Sequence, residues 1–345
     1  MIWVTWRQFR AQAIAGLAIL AAATAYFVIT GLSMHHTYTI DAAGCSSLGD
    51  GCDGALSQFR DGYAGAFDLV QLLMIVTVGL LGVFWGAPLI ARELENGTHQ
   101  VAWNQSITRT RWLAVKLAGV GAATIGSVAL LSYLLTWWSG PLDPIAGSRF
   151  SANVFATHDF VPVGYALFSL AVGVTTGLLI RRTVPAMAVT LAVFVGVQIL
   201  MPTVVRPHLL PSTTVTYPLD AATANLAQGV YTQDGGSEVY LNLPYPRGAW
   251  ILDTTPVENS AGSVVAASDH LACFPGGGGG PDDSKGAAPD TGQMIGCLAP
   301  YDLHESMTYQ PANHYWPLEW LETGIFTALA AAMSGFCFWW IRRRS

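Results

Sequence analysis

Three carboxylates stand where an apolar chain tolerates them least. Asp68, Glu319 and Glu322 fall at the ends of long apolar runs, and an ionisable group at membrane depth is a functional hypothesis by default because desolvating it is costly. Glu319 and Glu322 are three residues apart and share a helical face. Together the three are read as a candidate substrate path, close to water at the outer ends of the spans. Elsewhere the spans carry few ionisable groups, which suits an apolar or amphiphilic cargo better than an inorganic ion. Four of the five cysteines form two candidate disulfide pairs, Cys45 with Cys52 and Cys273 with Cys297, and Cys337 stands alone in the last apolar run.

Other chemistries fail on spacing. A phosphate-binding P-loop needs Gly-Lys-Ser/Thr after a glycine-rich turn, and the two lysines, Lys116 and Lys285, precede Leu117 and Gly286. The chain therefore cannot energise itself with that motif. His304-Glu305 lacks the second histidine of a zinc-protease helix, and adjacent His35 and His36 point apart on most backbones. No catalytic constellation, metal site or cofactor site is expected on this chain, so it is not read as an enzyme.

These residues must be positioned by spans. The 345 residues are 52% hydrophobic and 11% charged, against roughly 25% charged in a soluble domain, which marks a membrane protein. The net charge of −6 argues against nucleic acid. Six runs reach the roughly 20 residues that cross a bilayer as helix: 11–33, 67–91, 112–138, 160–180, 184–205 and 318–341. Ahead of the first, Ile2, Trp3, Trp6 and Phe9 beside Arg7 and Arg10 suggest a short interfacial helix or a frayed terminus. With the N-terminus inside, the inner face collects Arg7, Arg10, Arg92, Arg109, Arg111, Lys116, Arg181, Arg182, Arg342, Arg343 and Arg344. The outer side keeps Arg60, Arg149, Arg206, Arg247 and Lys285, as the positive-inside rule requires. Both termini are then cytoplasmic in a bacterial plasma membrane. Gly82 with Gly86, and Gly173 with Gly177, form GxxxG pairs that fit helix packing within one protomer or across a dimer.

The expected fold is an all-α polytopic membrane protein, with six transmembrane helices and a small partly β extracellular domain between helices five and six. Residues 1–33 hold the interfacial helix and first span, 34–66 an extracellular loop, 67–205 spans two to five, 206–317 the extracellular domain, and 318–345 the sixth span and basic tail. Ser237–Leu243 alternates apolar and polar residues and Ala249–Thr255 is rich in strand formers, so both are expected as strands. Cys273 and Cys297 bracket a glycine-rich loop, which favours local pairing over the other connectivities. Tyr, Trp and Pro of this domain either cap a translocation path or build the domain's own core.

One polar interruption lies inside, Ala91–Lys116. Helix is expected through Arg92-Glu-Leu-Glu95, stopped by Asn96-Gly97 because glycine accepts the left-handed conformation of a helix end. Thr98 caps a short helix presenting Trp103, and Thr108 caps the next, which carries Arg109 and Arg111. An exposed aromatic on a polar knob fits a partner contact or rest on lipid headgroups. The run Ala91-Arg-Glu-Leu-Glu-Asn-Gly-Thr98, followed by Gln105-Ser-Ile-Thr-Arg-Thr-Arg-Trp-Leu113 and Lys116, resembles the segment between spans two and three in permease subunits of type-2 ATP-binding-cassette exporters, actinobacterial ones in particular. The resemblance implies a coupling segment over 92–111 that docks on a cytoplasmic ABC ATPase subunit, with Glu93, Glu95, Gly97, Thr98, Trp103, Arg109 and Arg111 as contacts. It also implies ATP and Mg held by that partner, a homodimer or heterodimer of permeases among membrane lipids, and export of an antibiotic, lipid or peptide. The outer region after span five is long for that family. A membrane sensor or mechanical transmitter that moves no cargo is the alternative reading.

Overall fold

A computed structural model describes residues 2–39, 53–97, 108–142, 148–234, 237–273 and 291–343. Contacts divide the chain into a helical unit, residues 1–209 with 315–345, and an inserted unit, residues 210–314.

The helical unit is built from α1 (Ile2–Thr37), α2 (Asp53–Leu81), α3 (Ala87–Glu95), α4 (Arg109–Ser139), the short α5 (Ala152–Thr157), α6 (Val161–Ile180), α7 (Thr183–Leu200) and α10 (Tyr315–Arg343). Six stretches are long and apolar enough to cross a membrane: Ile14–Thr37, Ser57–Glu95, Arg109–Ser139, Val161–Ile180, Thr183–His208 and Ala312–Arg343. They coincide with the six apolar runs of the sequence and extend most of them by a turn or more. Helix α1 runs unbroken from Ile2, so the residues ahead of the spanning stretch Ile14–Thr37 belong to the same helix.

Helix α6 is the hub. Its span is 72% buried, against 11% for the first span, and the longest helix-to-helix contact is its packing on α10. The close approach of α6 to the second span rests on the two glycine pairs. A Cβ at Gly86 would lie 2.7 Å from the Leu170 carbonyl oxygen, and one at Gly177 would lie 2.6 Å from that of Ala87. Gly82 faces Ser169, and Gly173 faces Gly82 and Ala87, so the two GxxxG motifs pack on each other within one chain. At this crossing the second span changes to a π turn, Gly82–Gly86, between α2 and α3. A second π turn, Met201–Val205, and a 3-10 turn, Arg206–His208, close the fifth span.

The inserted unit has its own core. Strands β1 (Thr213–Pro218), β6 (Leu303–Gln310) and β4 (Trp250–Thr254) form an antiparallel sheet in that order, and β5 (Glu258–Asn259) pairs with the start of β6. Strands β2 (Gly229–Gln233) and β3 (Glu238–Asn242) form a separate hairpin. The two stretches expected as strands are β3 and β4. Leu219, Val239, Leu241, Val257, Ile295, Leu298, Leu303 and Met307 make the core. Cys273 and Cys297 are joined by a disulfide, Cα–Cα 5.6 Å, which ties residues 267–273 to α9 (Thr291–Leu298). Helix α8 (Ala221–Leu226) starts at Asp220, whose carboxylate accepts from the Thr223 N–H at 2.8 Å. That bond holds the Asp220 carboxyl below its usual range.

Candidate functional site

The end of the helical unit that gathers Glu95, Arg109 and Arg343 carries the polar interruption. Helix α3 stops as expected: the Asn96 N–H donates to the Arg92 carbonyl, and Gly97 takes φ +69°. Thr108 starts α4, its hydroxyl accepting from the Arg111 N–H at 3.3 Å. Thr98 and Trp103 lie outside the described residues.

Within this frame the two acids are used by the chain itself. Glu93 pairs with the Lys116 ammonium, which sits 4.6 Å from the centre of the Trp112 ring. Lys116 is 4% exposed, drawn into a cluster of Leu89, Ile90, Leu113, Val174, Leu178, Cys337 and Ile341. Glu95 accepts from the Thr183 N–H at 3.0 Å and from its hydroxyl at 2.7 Å, capping α7 from the neighbouring span. The start of the segment is thereby fixed on two sides, to α4 by Glu93 and to α7 by Glu95. Arg111 is exposed and Arg109 half-buried.

At the other end, Glu319 and Glu322, expected near water, are both at 0% exposure. Arg206, at the close of the fifth span, donates from Nε to Glu322 Oε2 at 2.8 Å and from Nη2 to Oε1 at 3.0 Å. The Tyr165 hydroxyl donates to the same Oε1 at 2.7 Å, and the Phe155 ring lies 4.1 Å from the guanidinium. Glu319 Oε2 accepts from the Phe160 and Val161 N–H groups at 3.2 and 3.3 Å, satisfying donors that open α6. The Tyr315 hydroxyl donates to Asp159 Oδ2 at 2.7 Å. The spans thus do contain buried charge, and it joins α10 to α6 and to the fifth span. Asp68, by contrast, is exposed on α2 and stands in a recess far along the chain from that pair.

Of the disulfide candidates, Cys273 and Cys297 are bonded, and Cys45 and Cys52 lie outside the described residues. His304 and Glu305 sit on strand β6. Among the described residues no group of three or more His, Cys, Asp or Glu side chains could hold a metal ion. Lys116, Tyr165, Thr183 and Arg206 are the partners that sequence reasoning missed. An arginine ending an apolar run, with two glutamates opening another, was the available signal for Arg206.

Six spanning-length helices with charges paired inside the bundle define a multi-pass membrane protein. The model of the family ABC-2 membrane transporter related matches residues 17–206, over half of the chain, and the chain belongs to that family. Comparison with curated proteins and with solved structures gives no match. The matched stretch covers the first five spans and ends at Arg206, before the inserted unit.

Proposed function

We propose that this permease works with a separate cytoplasmic ABC ATPase and exports a hydrophobic or amphiphilic compound such as an antibiotic, lipid or peptide. The observation that carries the reading is family membership over residues 17–206, joined to the anchoring of the 92–111 segment. Glu93, on Lys116, and Glu95, on Thr183, brace that segment against spans three and five, so a push on residues 98–107 reaches both spans. Gly97 and Trp103 are then the contacts the ATPase senses, while Glu93 and Glu95 position them. Two permeases with two ATPase subunits, holding ATP and Mg on the ATPase side, and with both permease termini cytoplasmic, complete the assembly.

The ATPase should copurify with the chain, and Trp103→Ala or Gly97→Pro should leave membrane insertion intact while reducing substrate-stimulated ATP turnover to its basal rate. Proline cannot adopt the positive φ of Gly97. Undiminished stimulation in both variants counts against docking at this segment. The inserted unit, with its own core and disulfide, favours a second reading as a signal-receiving membrane sensor. Efflux from proteoliposomes separates the two, since the sensor moves no cargo.

A further inference from the structure

In the inserted unit, strand β1 leaves one edge open, and three bonds fix which of its residues face that edge. The Leu219 N–H donates to the Leu303 carbonyl at 2.9 Å, which makes Leu219 and Leu303 a hydrogen-bonded pair. On β6 the Ser306 carbonyl accepts from the Thr255 N–H at 2.9 Å, and the Ser306 N–H donates to Thr255 Oγ1 at 3.1 Å. Ser306 thus turns its backbone away from β1. An antiparallel ladder repeats the choice at every second residue. Thr213, Val215 and Tyr217 therefore bond to β6, whereas Thr214 and Thr216, opposite Thr308 and Ser306, aim their N–H and carbonyl groups out of the sheet. Both threonines are exposed, and among the described residues no strand but β6 pairs with β1.

The opposite edge is blunted. On β4 the register shifts between Ile251 and Asp253 and the Asp253 side chain is exposed, a bulge and a charge that keep an edge from recruiting a strand. Strand β1 keeps an unbroken register from Thr213 to Pro218 and carries no charge. Thr214 and Thr216 meet the hydroxyls of Thr308 and Ser306 at 3.0 Å on the polar face, and Val215 and Tyr217 lie half-buried on the other. Just past Pro218 stands Asp220, exposed. Residues 210–314 hold eleven Asp and Glu against Arg247 and Lys285.

We infer that the β1 edge takes an extended cationic peptide as an added antiparallel strand. Thr214 and Thr216 offer it their N–H donors and carbonyl acceptors, a mode of recognition in which the main chain gives affinity and alternate side chains give specificity. Apolar residues of the peptide meet Val215 and Tyr217, and hydroxyl residues between them extend the rows of Thr and Ser. Running against β1, the peptide brings its N-terminal end to Asp220, where a lysine suits the carboxylate. Charge selects this occupant over a second copy, whose approach brings two acidic units together. The inference does not rest on the proposed export or on coupling to an ATPase.

Fluorescence anisotropy of a labelled peptide on the purified full chain in neutral detergent, without any ATPase, tests it. The probe is Lys-Lys-Thr-Val-Thr-Val-Thr amide, and the control is the same peptide headed by Glu-Glu. The lysine peptide should bind about tenfold more tightly than the control. N-methylation of its three threonines removes the N–H groups that face β1 and should weaken binding about tenfold, whereas N-methylation of the two valines, whose N–H groups point away, should change it by less than about twofold. Thr216→Pro removes one edge N–H and no bond to β6, so the chain should stay folded while binding falls. Asp220→Asn keeps a cap for Thr223 and should narrow the margin between the lysine and glutamate peptides. Equal affinity for the two peptides, or equal effects of the two methylation patterns, overturns the proposal. Absence of peptide binding overturns it too, and a dimer in mass photometry that Thr216→Pro dissolves would then give the edge to a second copy.

Discussion

Lys116 and Arg206 are both buried cations paired with a glutamate, at opposite ends of the helical unit, and they are held in different ways. Arg206 meets both oxygens of Glu322 in a fork, Tyr165 donates to the same carboxylate and the Phe155 ring lies against the guanidinium, while Arg206 Nη1 has no hydrogen-bond partner among the described residues. Its partner is 0% exposed, and three elements, α6, α10 and the close of the fifth span, meet at this one carboxylate. Lys116 offers a point charge to Glu93, with the Leu89 carbonyl at 3.5 Å and the Trp112 ring beside it, and Glu93 keeps 17% of its side chain exposed. Guanidinium geometry favours the fixed, bidentate partner, whereas an ammonium on a flexible stem tolerates rearrangement. The Arg206 end is therefore the stiffer of the two, and the end that carries the turn at Asn96 and Gly97 can shift at lower cost. Under the proposed coupling to an ATPase, the stiffer end would serve as the pivot and the looser end as the side that answers to the partner.

Breaking the stiffer pair should have the largest effect. Glu322→Gln or Arg206→Met leaves a buried charge without its counterion, at a cost of about 3–5 kcal/mol. The thermal unfolding midpoint of the purified chain should fall sharply in either variant. The double variant Arg206→Met/Glu322→Met should recover most of that loss, because a desolvated pair is replaceable by packed apolar groups. A double variant as unstable as the singles would show that the pair supplies net stability and not only mutual neutralisation. Lys116→Met should cost less, about 2 kcal/mol, because Glu93 can turn its carboxylate to water. Equal losses at the two ends would remove the contrast in stiffness.

The same contrast explains what could be read from the chain. Span count, span positions and the strands at 238–242 and 250–254 follow from hydropathy and alternation, which are local. The stop at Gly97 and the cap at Thr108 are local too, each fixed by a residue and its neighbours within one turn. Arg206 and Glu322 are 116 residues apart, and Glu95 and Thr183 are 88 apart. No period or motif links such residues, so Glu322 reads, with Glu319, as a carboxylate near water and Glu95 as a contact for a partner. Their roles are set by which spans touch α6, and that depends on the glycine crossing at Gly82, Gly86, Gly173 and Gly177. The glycine spacing was visible in the sequence, but not that the two motifs face each other.

Glu305, a buried carboxylate of the inserted unit, sharpens the comparison because no ion pair to it is found among the described residues. Glu305 is 0% exposed on β6, on the core face between Leu303 and Met307. Its Oε2 accepts from the Leu241 N–H at 2.6 Å, and Oε1 has no hydrogen-bond partner among the described residues. Burial outweighs that one bond and pushes the carboxyl up from an ordinary 4.5 to about 7. A folded-state value above the unfolded one means that the folded unit binds the proton more tightly. Its contribution is full below pH 4.5, declines as pH rises, and is lost above about 7. The loss is on the order of 3 kcal/mol for a rise of that size. Hydrogen exchange of the full chain, corrected for intrinsic rates and followed in peptides covering 238–243 and 303–310, should show protection falling across that window. Glu305→Gln keeps the acceptor for Leu241 and cannot ionise, so its protection should stay level and exceed that of the wild type above pH 7. A wild-type profile as flat as the variant's would mean that water or a partner group neutralises Glu305, placing it with Glu322 and not in contrast to it.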